Sequence, residues 1–451
     1  MFKFQKIKMN QTTILLVIFI LAFFLRIAGP FAKEALYDHK PFILFGDEFL
    51  KSSKADTIVY NLTAKSLIEG HGHAGNIKEM HELLKGDNSD YDFEKESRFM
   101  NDNSGYLIHK LIPPGYPIFL AICYVIFGIN TLSFYMPQIL LSAFSCILIY
   151  FIAKKIFNAR VAIISSLLFA LYPDLIFWTY MVRTETLFIF LLALIFWLLL
   201  KDNKDYPFAF IMGALLGITC LTKLTLLFFA PIIIVWEFLF FKTSNQRKLI
   251  YLFILCFSFI LTLSPWIIRN YAVFGSFSIL TDEVWTIFTT NPPSPGDDKI
   301  GSYILILFKV ILNDPYNFVA ACVSRLIKYL SPFTDLMRDS AKSYKCITWL
   351  VIFPMSFVGM LIAIKKYWST SGLIILFILY YILLHSITYV DVGLIYRYPI
   401  QPFLCIFAAY GYWLFYKKYH YCPNVVTRRR QKWLIATEKQ KIYGVSRFEA
   451  G

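Results

Sequence analysis

Ten long apolar runs constrain this chain more than any other feature of its sequence. A helix needs roughly 17–25 mostly apolar residues to cross the hydrocarbon core of a membrane, and the 451-residue chain contains many runs of that length. We therefore predict an all-α polytopic membrane protein. The predicted spans lie near residues 12–29, 134–153, 161–180, 185–200, 206–222, 224–241, 249–268, 347–364, 371–388 and 399–416.

An additional apolar run, "PPGYPIFLAICYVIFG" at residues 113–128, decides the topology. This run is short for a span and begins with Pro-Pro-Gly, so we interpret it as an interfacial or re-entrant helix. An eleventh span is the alternative. With ten spans, every cluster of Lys and Arg lies in the cytoplasm, where such residues accumulate. These clusters are at residues 3–8, 154–160, 242–248, 365–366 and 417–432.

The same topology divides the chain into a membrane module at residues 1–416 and a basic cytoplasmic tail at 417–451. The first apolar run has no small-residue cleavage site after it, so we predict an uncleaved signal anchor. Both termini are then cytoplasmic. Two large loops, at residues 30–133 and 270–346, face the outside and are expected to carry interfacial helices.

The formal charge of +15 has a membrane explanation rather than a nucleic-acid one. Charged residues make up only 16% of the chain and hydrophobic residues 58%, against about 25% and about 45–50% in soluble domains. Because the sequence contains no basic and aromatic nucleic-acid motif, the positive excess is attributed to the cytoplasmic surface. We therefore predict membrane lipids as partners and no nucleic acid.

Ionisable residues are scarce inside the predicted spans and gather where the spans emerge outside. A transporter or flippase is expected to place polar groups near the midplane of the membrane, so this distribution disfavours that class. It favours a surface site for a substrate with a lipid tail and an anionic head. Snorkelling of each cation at the interface is the alternative. The outer-end residues are Arg183, Glu185, Lys223, Arg269, and Arg397 with His385 and Asp391.

The first outer loop contains an acid, Asp56, four residues before Tyr60. This spacing places both residues on one face of a short helix. Asp56 could instead be only the N-cap of that helix, and Asp47 and Glu48 are competing acids nearby. Glu185 begins a span, where an acid also suits the positive end of the helix dipole. His71 and His73 have no partners at a diagnostic metal spacing, so the sequence does not indicate a metal cofactor.

The ordered motifs resemble those of the GT-C superfamily of integral-membrane glycosyltransferases. They are "DTIVYNLTAKSLIEGHG", "PPGYPIFLAICYVIFG", "RTETLFIFLLAL", "GALLGITCLTKLTLL", "LSPWIIRNYAVFG" and "IYRYPIQPFLCIFAAYGY", within residues 10–416. The nearest kinds are the bacterial enzymes similar to protein O-mannosyltransferases and to aminoarabinose lipid A transferases. The resemblance implies a polyprenyl-phosphate sugar donor, inversion at the sugar, and an active site on the outer face of a bacterial plasma membrane.

The resemblance also implies roles for individual residues. Asp56 corresponds to the catalytic acid of the first outer loop, because it alone has the Tyr at +4 and Gly-His-Gly downstream. Glu185 matches the acid at the start of the span that follows the short outer connection between the predicted spans 161–180 and 185–200, and Arg269 and Arg397 match basic positions. Three departures stand out, and the last of them weakens any inference of a metal or of the aminoarabinose-type substrate. Tyr135-Met136 precede the Pro-Gln pair where Arg is frequent, Lys223 replaces an Arg, and Leu111-Ile112 replace charged residues before Pro113.

These observations combine into one functional hypothesis. Asp56 is the general base that activates an acceptor hydroxyl or amine, and Glu185 orients the acceptor or Asp56. Tyr60 and Arg183 contact the substrate. The donor phosphate is bound by the cations Lys223, Arg269 and Arg397. The sugar, a hexose or a pentose, and the acceptor, a lipid, a glycan or a protein, are left open. The alternatives are a lipid-linked glycan polymerase or ligase and a non-enzymatic flippase.

Overall fold

The computed structural model describes residues 10–37, 55–84, 99–101, 104–110, 112–275, 279, 311–312, 314–332, 339–387 and 394–421. Most of these residues are helical, which confirms the predicted all-α class. The helices are α1 (Gln11–Tyr37), α2 (Ala55–Ile68), α3 (Ile77–Leu84), α4 (Gly115–Phe127), α5 (Thr131–Ile156), α6 (Ala159–Ala170), α7 (Pro173–Phe177), α8 (Glu185–Leu199), α9 (Tyr206–Thr222), α10 (Ala230–Phe240), α11 (Asn245–Phe274), α12 (Pro315–Leu330), α13 (Asp339–Lys366), α14 (Trp368–Ile387) and α15 (Gln401–Tyr421). Short 3₁₀ segments lie at Trp178–Tyr180, Leu224–Leu226 and Leu394–Ile400.

Fewer helices than the predicted ten spans are long and apolar enough to cross a membrane unaided. Within the described residues five helices meet this criterion, and a sixth does if a bent pair counts as one span. The bent pair is Ala159–Ala170 and Pro173–Tyr180, which meet at 58°. Pro173 explains the bend, because it disfavours a helical residue before it and lacks a backbone N–H. The five spans are Gln11–Gly29, Thr131–Ile156, Asn245–Phe274, Lys345–Lys366 and Trp368–Ile387.

Three of the remaining predicted spans form shorter or broken helices, whereas the span predicted at residues 399–416 lies within α15, an unbroken helix of 21 residues. Helices α8, α9 and α10 have 15, 17 and 11 residues. The segment predicted to span residues 224–241 divides into a 3₁₀ turn and α10, which begins with Pro231 in its first turn. Helix α4 has 13 residues, or about 20 Å at 1.5 Å per residue. This length fits the interfacial or re-entrant interpretation of residues 113–128.

Small residues bring pairs of helices into close contact. A Cβ atom on Gly359 would lie 2.0 Å from the Phe407 carbonyl oxygen, and one on Gly411 would lie 2.4 Å from that of Met355. These two glycines therefore set the close approach of α13 and α15. Gly213 similarly packs against the backbone of Leu255 and brings α9 against α11.

A three-stranded antiparallel sheet lies next to α2, and the sequence analysis did not predict it. Its strands are β1 (Ala74–Asn76), β2 (Phe99–Asn101) and β3 (Tyr106–His109), in the order β1-β3-β2. The Gly-His-Gly motif connects α2 to β1. Gly70 and Gly72 have φ values of 88° and 75°, which glycine adopts without the steric cost of a Cβ atom. The motif is therefore a turn that ends α2 and directs the chain into the sheet.

Helix α2 and the sheet cover one end of the helix bundle, which we call the loop side. Tyr60 of α2 packs edge-on against Tyr116 at the start of α4, with ring centroids 5.1 Å apart. A Cβ atom on Gly115 would lie 2.7 Å from the backbone of Leu221 and Thr222, at the end of α9. The beginning of α4 and the end of α9 therefore meet on the loop side, under α2.

Candidate active site

Asp56 is the second residue of α2, one helical turn before Tyr60. The described part of the helix starts at Ala55, directly after residues outside the described part of the chain, so the N-cap alternative for Asp56 stays open. The side chain of Asp56 lies outside the described residues, as do Asp47 and Glu48, and its role stays a prediction. Tyr60 is buried, with 4% of its surface exposed, and its ring contacts Tyr116.

Tyr116 connects this helix to the segment that precedes Glu185. Its hydroxyl donates a hydrogen bond to Oε1 of Gln138 over 3.3 Å. The Nε2 atom of Gln138 in turn donates to the carbonyl oxygens of Thr179 and Met181, at 3.1 and 3.0 Å. A buried amide with fixed partners holds the chain rigidly. Gln138 therefore fixes the backbone that leads to Glu185.

Glu185 and Lys223 form a buried ion pair. The Nζ atom of Lys223 donates to Oε1 of Glu185 over 3.2 Å, and the side chains are 8% and 3% exposed for Lys223 and Glu185, respectively. The second carboxylate oxygen, Oε2, is buried and has no hydrogen-bond partner among the described residues. Glu185 is the first residue of α8, and Lys223 follows the last residue of α9. The pair therefore joins the loop-side ends of two helices.

Lys223 also borders a cluster of aromatic residues. Its Nζ atom lies 5.5 Å from the centroid of the Tyr396 ring. The ring of His385 packs on the same Tyr396 ring, and the two ring centroids are 5.0 Å apart. Tyr396 directly precedes Arg397, so the structure brings two of the predicted phosphate ligands, Lys223 and Arg397, to either side of one aromatic residue.

Arg397 binds the end of α12 and lines a cavity. Its Nη1 atom donates to the carbonyl oxygens of Tyr329 and Ser331, at 3.0 and 2.6 Å. These bonds satisfy the last carbonyl groups of α12, which have no partner within the helix. Burial lowers the pKa of Arg397, although nearby Tyr172 counteracts this effect.

The cavity beside Arg397 has a volume of about 280 Å³ and a mostly apolar lining. Asp174 and Lys345, an ion pair at 3.6 Å, line it together with Arg397. From Lys345 the lining continues along α13 as far as Met360. The cavity therefore has charged groups at the loop-side end of α13 and hydrocarbon side chains deeper in the bundle. The sequence analysis identified neither Asp174 nor Lys345, because each belongs to this site only through the fold.

Arg183 and Arg269 occupy two other environments. The Arg183 guanidinium lies 5.6 Å from the Trp178 ring centroid, and Trp178 packs against Tyr398, which follows Arg397. Arg269 donates to the His73 carbonyl oxygen over 3.0 Å and to Asn270 over 2.8 Å. Arg269 thus attaches the sheet to the end of α11, and its predicted contact with phosphate stays a prediction.

Two buried histidines accompany Arg269. The rings of His73 and His109 are 4.8 Å apart, and His73 also packs on Trp266. Burial lowers the pKa of His109 to about 3, with a further contribution from the positive charge of Arg269. Burial likewise lowers the pKa of His73, as do His109 and Arg269. Both rings are therefore neutral at pH 7.

The described residues contain no group of three or more His, Cys, Asp or Glu side chains that could hold a metal ion. The side chain of Asp56 lies outside these residues. Hydroxyl, amide and cationic groups predominate around Glu185. The chemistry that these groups support is the binding of an anionic head group and of hydroxyl groups.

The fold has clear relatives among solved structures. ArnT from Cupriavidus metallidurans bound to undecaprenyl phosphate is similar over 89% of this chain and 59% of its own, with a TM-score of 0.53 and 12% identity. The archaeal oligosaccharyltransferase AglB from Archaeoglobus fulgidus, in complex with an inhibitory peptide and a dolichol-phosphate, is similar over 92% of this chain and 51% of its own, with a TM-score of 0.50 and 12% identity. The chain thus spans little more than half the length of these relatives.

The chain therefore has the fold of the GT-C superfamily of integral-membrane glycosyltransferases, as the sequence resemblance implies. Within that class, residues 112–268 match the model of one family, described as dolichyl-phosphate-mannose-protein mannosyltransferase. The match runs from α4 into α11 and includes Glu185 and Lys223, whereas Arg269 is the first residue beyond it. No curated protein sequence matches the chain.

Proposed function

We propose that this protein is a membrane glycosyltransferase that moves a sugar from a polyprenyl-phosphate donor to an acceptor hydroxyl or amine, with inversion. The single observation that carries the proposal is the order of groups on the loop side. The apolar cavity leads to Arg397, then to Lys223 and Glu185, and finally through Tyr116 and Tyr60 to the helical turn of Asp56. This order matches a prenyl chain, a phosphate, a sugar and an acceptor.

The cavity supports the first part of this order. A prenyl chain is pure hydrocarbon, and the walls formed by α13 and α14 would bury it favourably. Its phosphate would then lie near Arg397, whose guanidinium has donors beyond the two bonds of Nη1. Planar guanidinium groups bind phosphate oxygens with two parallel hydrogen bonds. Undecaprenyl phosphate, bound in the ArnT structure, and dolichol-phosphate, bound in the AglB structure, have this same chemistry.

The reaction follows from these positions. The acceptor oxygen or nitrogen attacks the anomeric carbon as the bond from that carbon to the phosphate oxygen breaks. The electron pair of that bond stays on the phosphate, where Arg397 and Lys223 stabilise the growing negative charge. Asp56 accepts the acceptor's proton. Attack opposite the leaving phosphate inverts the anomeric configuration.

The ion pair gives Glu185 a defined part in this proposal. Because Oε1 accepts from Lys223 and Oε2 has no partner among the described residues, Oε2 can orient a hydroxyl group of a substrate. Lys223 in turn neutralises the charge of the Glu185 carboxylate until the donor phosphate becomes more negative. Arg183, over Trp178, is positioned to contact the part of the substrate nearest Tyr398.

The proposed orientation places the loop side outside a bacterial plasma membrane and both termini in the cytoplasm. The cytoplasmic location of the termini partly depends on the basic segments at residues 3–8 and 422–432. These segments lie outside the described residues. The remaining basic groups, such as Lys154, Lys155 and Lys365, lie at the opposite ends of α5 and α13 from the loop side. This distribution agrees with the positive-inside rule.

The decisive experiment is a transfer assay with purified protein in liposomes. Undecaprenyl-phosphate sugars labelled in the sugar would be incubated with lipid, glycan and peptide acceptors, and the release of undecaprenyl phosphate would be measured. A transferase consumes donor and releases undecaprenyl phosphate in proportion to labelled product. A flippase moves labelled donor across the bilayer without consuming it, and that result would contradict the proposal. A polymerase or ligase would require pyrophosphate-linked glycans instead.

A further inference from the structure

We propose that His385 is a substrate-binding residue whose Nε2 atom accepts a hydrogen bond from a hydroxyl group of the donor's sugar. This inference rests on the proposed function and specifies how the same site recognises its substrate. His385 lies in the last turn of α14, and only 1% of its surface is exposed. Its ring packs against those of Tyr381, Tyr396 and Tyr329, with centroid distances of 4.8, 5.0 and 5.7 Å.

The position of one hydrogen atom on the ring follows from its partner. The Nδ1 atom lies 2.8 Å from the carbonyl oxygen of Tyr381. A carbonyl oxygen can only accept a hydrogen bond, so Nδ1 carries the hydrogen. A second cation, fully buried beside the ammonium group of Lys223, would be costly, so the ring is neutral. Its Nε2 atom is therefore a hydrogen-bond acceptor.

That acceptor is buried and has no partner among the described residues. Buried polar atoms in folded proteins nearly always have partners, so an exception needs an explanation. An independent second exception lies close by, since Oε2 of Glu185 is also buried without a partner within the described part of the chain. Lys223 contacts Glu185 directly and shares the Tyr396 ring with His385.

Two acceptors near one cation favour a particular chemical class of ligand. A sugar hydroxyl group carries a hydrogen that it can donate to Nε2 or to Oε2, whereas an ionised phosphate oxygen has none. The acceptors therefore discriminate a glycosyl group from the phosphate to which it is attached. Tyr329, which packs on His385, also lines the cavity proposed for the prenyl chain. The sugar of a donor held there would thus lie beside His385.

Two substitutions separate this role from a structural one. The amide nitrogen of Asn occupies the place of Nδ1, so His385→Asn keeps the bond to Tyr381 and removes the Nε2 acceptor. The amide oxygen of Gln occupies the place of Nε2, so His385→Gln keeps the acceptor and loses the bond to Tyr381. A structural role predicts that Asn is the better replacement, and sugar recognition predicts that Gln is.

The experiment measures the affinity of each variant for two probes in nanodiscs. One probe is undecaprenyl phosphate, and the other is the undecaprenyl-phosphate sugar that the unmodified protein binds most tightly from a panel of hexoses and pentoses. We expect His385→Asn to weaken binding of the sugar-bearing probe about tenfold and to leave undecaprenyl phosphate unchanged. We expect His385→Gln to retain most of the affinity. Equal weakening of both probes, or no weakening, would overturn the inference.

A second measurement does not depend on the folding of a variant. Deoxy analogues of the donor, each lacking one hydroxyl group, are tested on the unmodified protein. One analogue should bind about tenfold more weakly than the parent, and His385→Asn should not weaken its binding further. If every deoxy analogue binds as well as the parent, the inference is wrong. Failure of transfer with intact sugar-dependent binding would instead contradict the proposed function alone.

Discussion

The Nζ atom of Lys223 lies 3.2 Å from Oε1 of Glu185, although 37 residues separate the two in the sequence. Both side chains are buried where α8 begins and α9 ends. One is a cation at a position where the resemblance leads us to expect arginine, and the other is an acid at the start of a span. Their pairing means that neither charge can be changed without affecting the other.

Removing Lys223 alone should destabilise the protein strongly. Lys223→Met leaves the Glu185 carboxylate buried without a counterion, which typically costs about 3–5 kcal/mol. Adding Glu185→Gln should restore most of the lost thermal stability, because no buried charge then remains. The measurement is the unfolding temperature in detergent. Lys155→Met is the matched control, since its pair with Asp202 is exposed and contributes little. Equal effects of Lys223→Met and Lys155→Met would contradict the structure of the pair.

Asp56→Asn should abolish sugar transfer and preserve folding. The amide cannot accept the acceptor's proton, but it has nearly the same size as the carboxylate. Initial rates of transfer and the affinity for undecaprenyl phosphate are the two readouts, and only the first should change. Asp202→Asn, an exposed acid near the other end of the bundle, serves as the control. Full activity of Asp56→Asn would exclude Asp56 as the base.

Arg397→Ala should weaken the binding of undecaprenyl phosphate by at least tenfold. The substitution removes a charge-assisted contact with phosphate, and such contacts are stronger than neutral hydrogen bonds. Arg325→Ala is the control, because Arg325 binds the Ile387 carbonyl oxygen from the exposed face of α12. Titration of both variants with the lipid in nanodiscs provides the comparison. If both variants bind equally well, Arg397 has no part in phosphate binding.

The stability of the loop side should fall as the pH falls below about 6.5. In the folded protein the pKa of His109 is lowered to about 3 and that of His73 is also lowered, whereas an unperturbed histidine has a pKa of about 6.5. The unfolded chain therefore binds more protons between about pH 3 and 6.5, so stability rises with pH through that window and is complete above it. Unfolding temperatures between pH 4 and 8 test this.

The matched variant for this pH series is His73→Phe, which keeps an aromatic ring between His109 and Trp266. It should show a smaller loss of stability on acidification than the unmodified protein, because one of the two titrating groups is gone. An identical pH profile in the two proteins would assign the acid sensitivity to other residues.

Arg26 allows a prediction about a charge within the first span. Its guanidinium is fully buried and donates to Ser142 Oγ over 2.6 Å and to the Ala22 carbonyl oxygen over 2.9 Å. Because these partners are neutral, an apolar residue of similar volume should fit at little cost. Arg26→Met should therefore leave the unfolding temperature unchanged or raise it. A marked decrease would show that these hydrogen bonds outweigh the desolvation of the charge.

The sequence was sufficient to predict the fold class and several groups that the structure brings together. Charged residues at the outer ends of spans led to Glu185, Lys223 and Arg397, because such residues are costly anywhere else in a membrane. The helical spacing of Asp56 and Tyr60 correctly predicted α2. These features depend only on local pattern and on the solvent that each segment meets.

Other features depend on contacts that no local pattern encodes. Strands of three or four residues are too short to show an alternating pattern, so the sheet was missed. The packing of α1 against α5 and α6 buries Arg26, which no pattern within the first span indicates. The pairing of Glu185 with Lys223 and the packing of His385 on Tyr396 arise only when distant helix ends meet.

The two hydrogen bonds from Arg397 to the end of α12 have a consequence for the affinity of the site for its donor. If the same guanidinium binds the donor phosphate, the position of α12 and the affinity for donor become linked, and this linkage must be reciprocal. Donor binding would then change the freedom of α12, and a loosened α12 would change donor affinity by the same factor. Substitutions far from the phosphate, at the contact between Leu330 and Trp349 for example, would thereby alter substrate binding. Through the Arg397 side chain alone, binding of the lipid donor would change the mobility of α12.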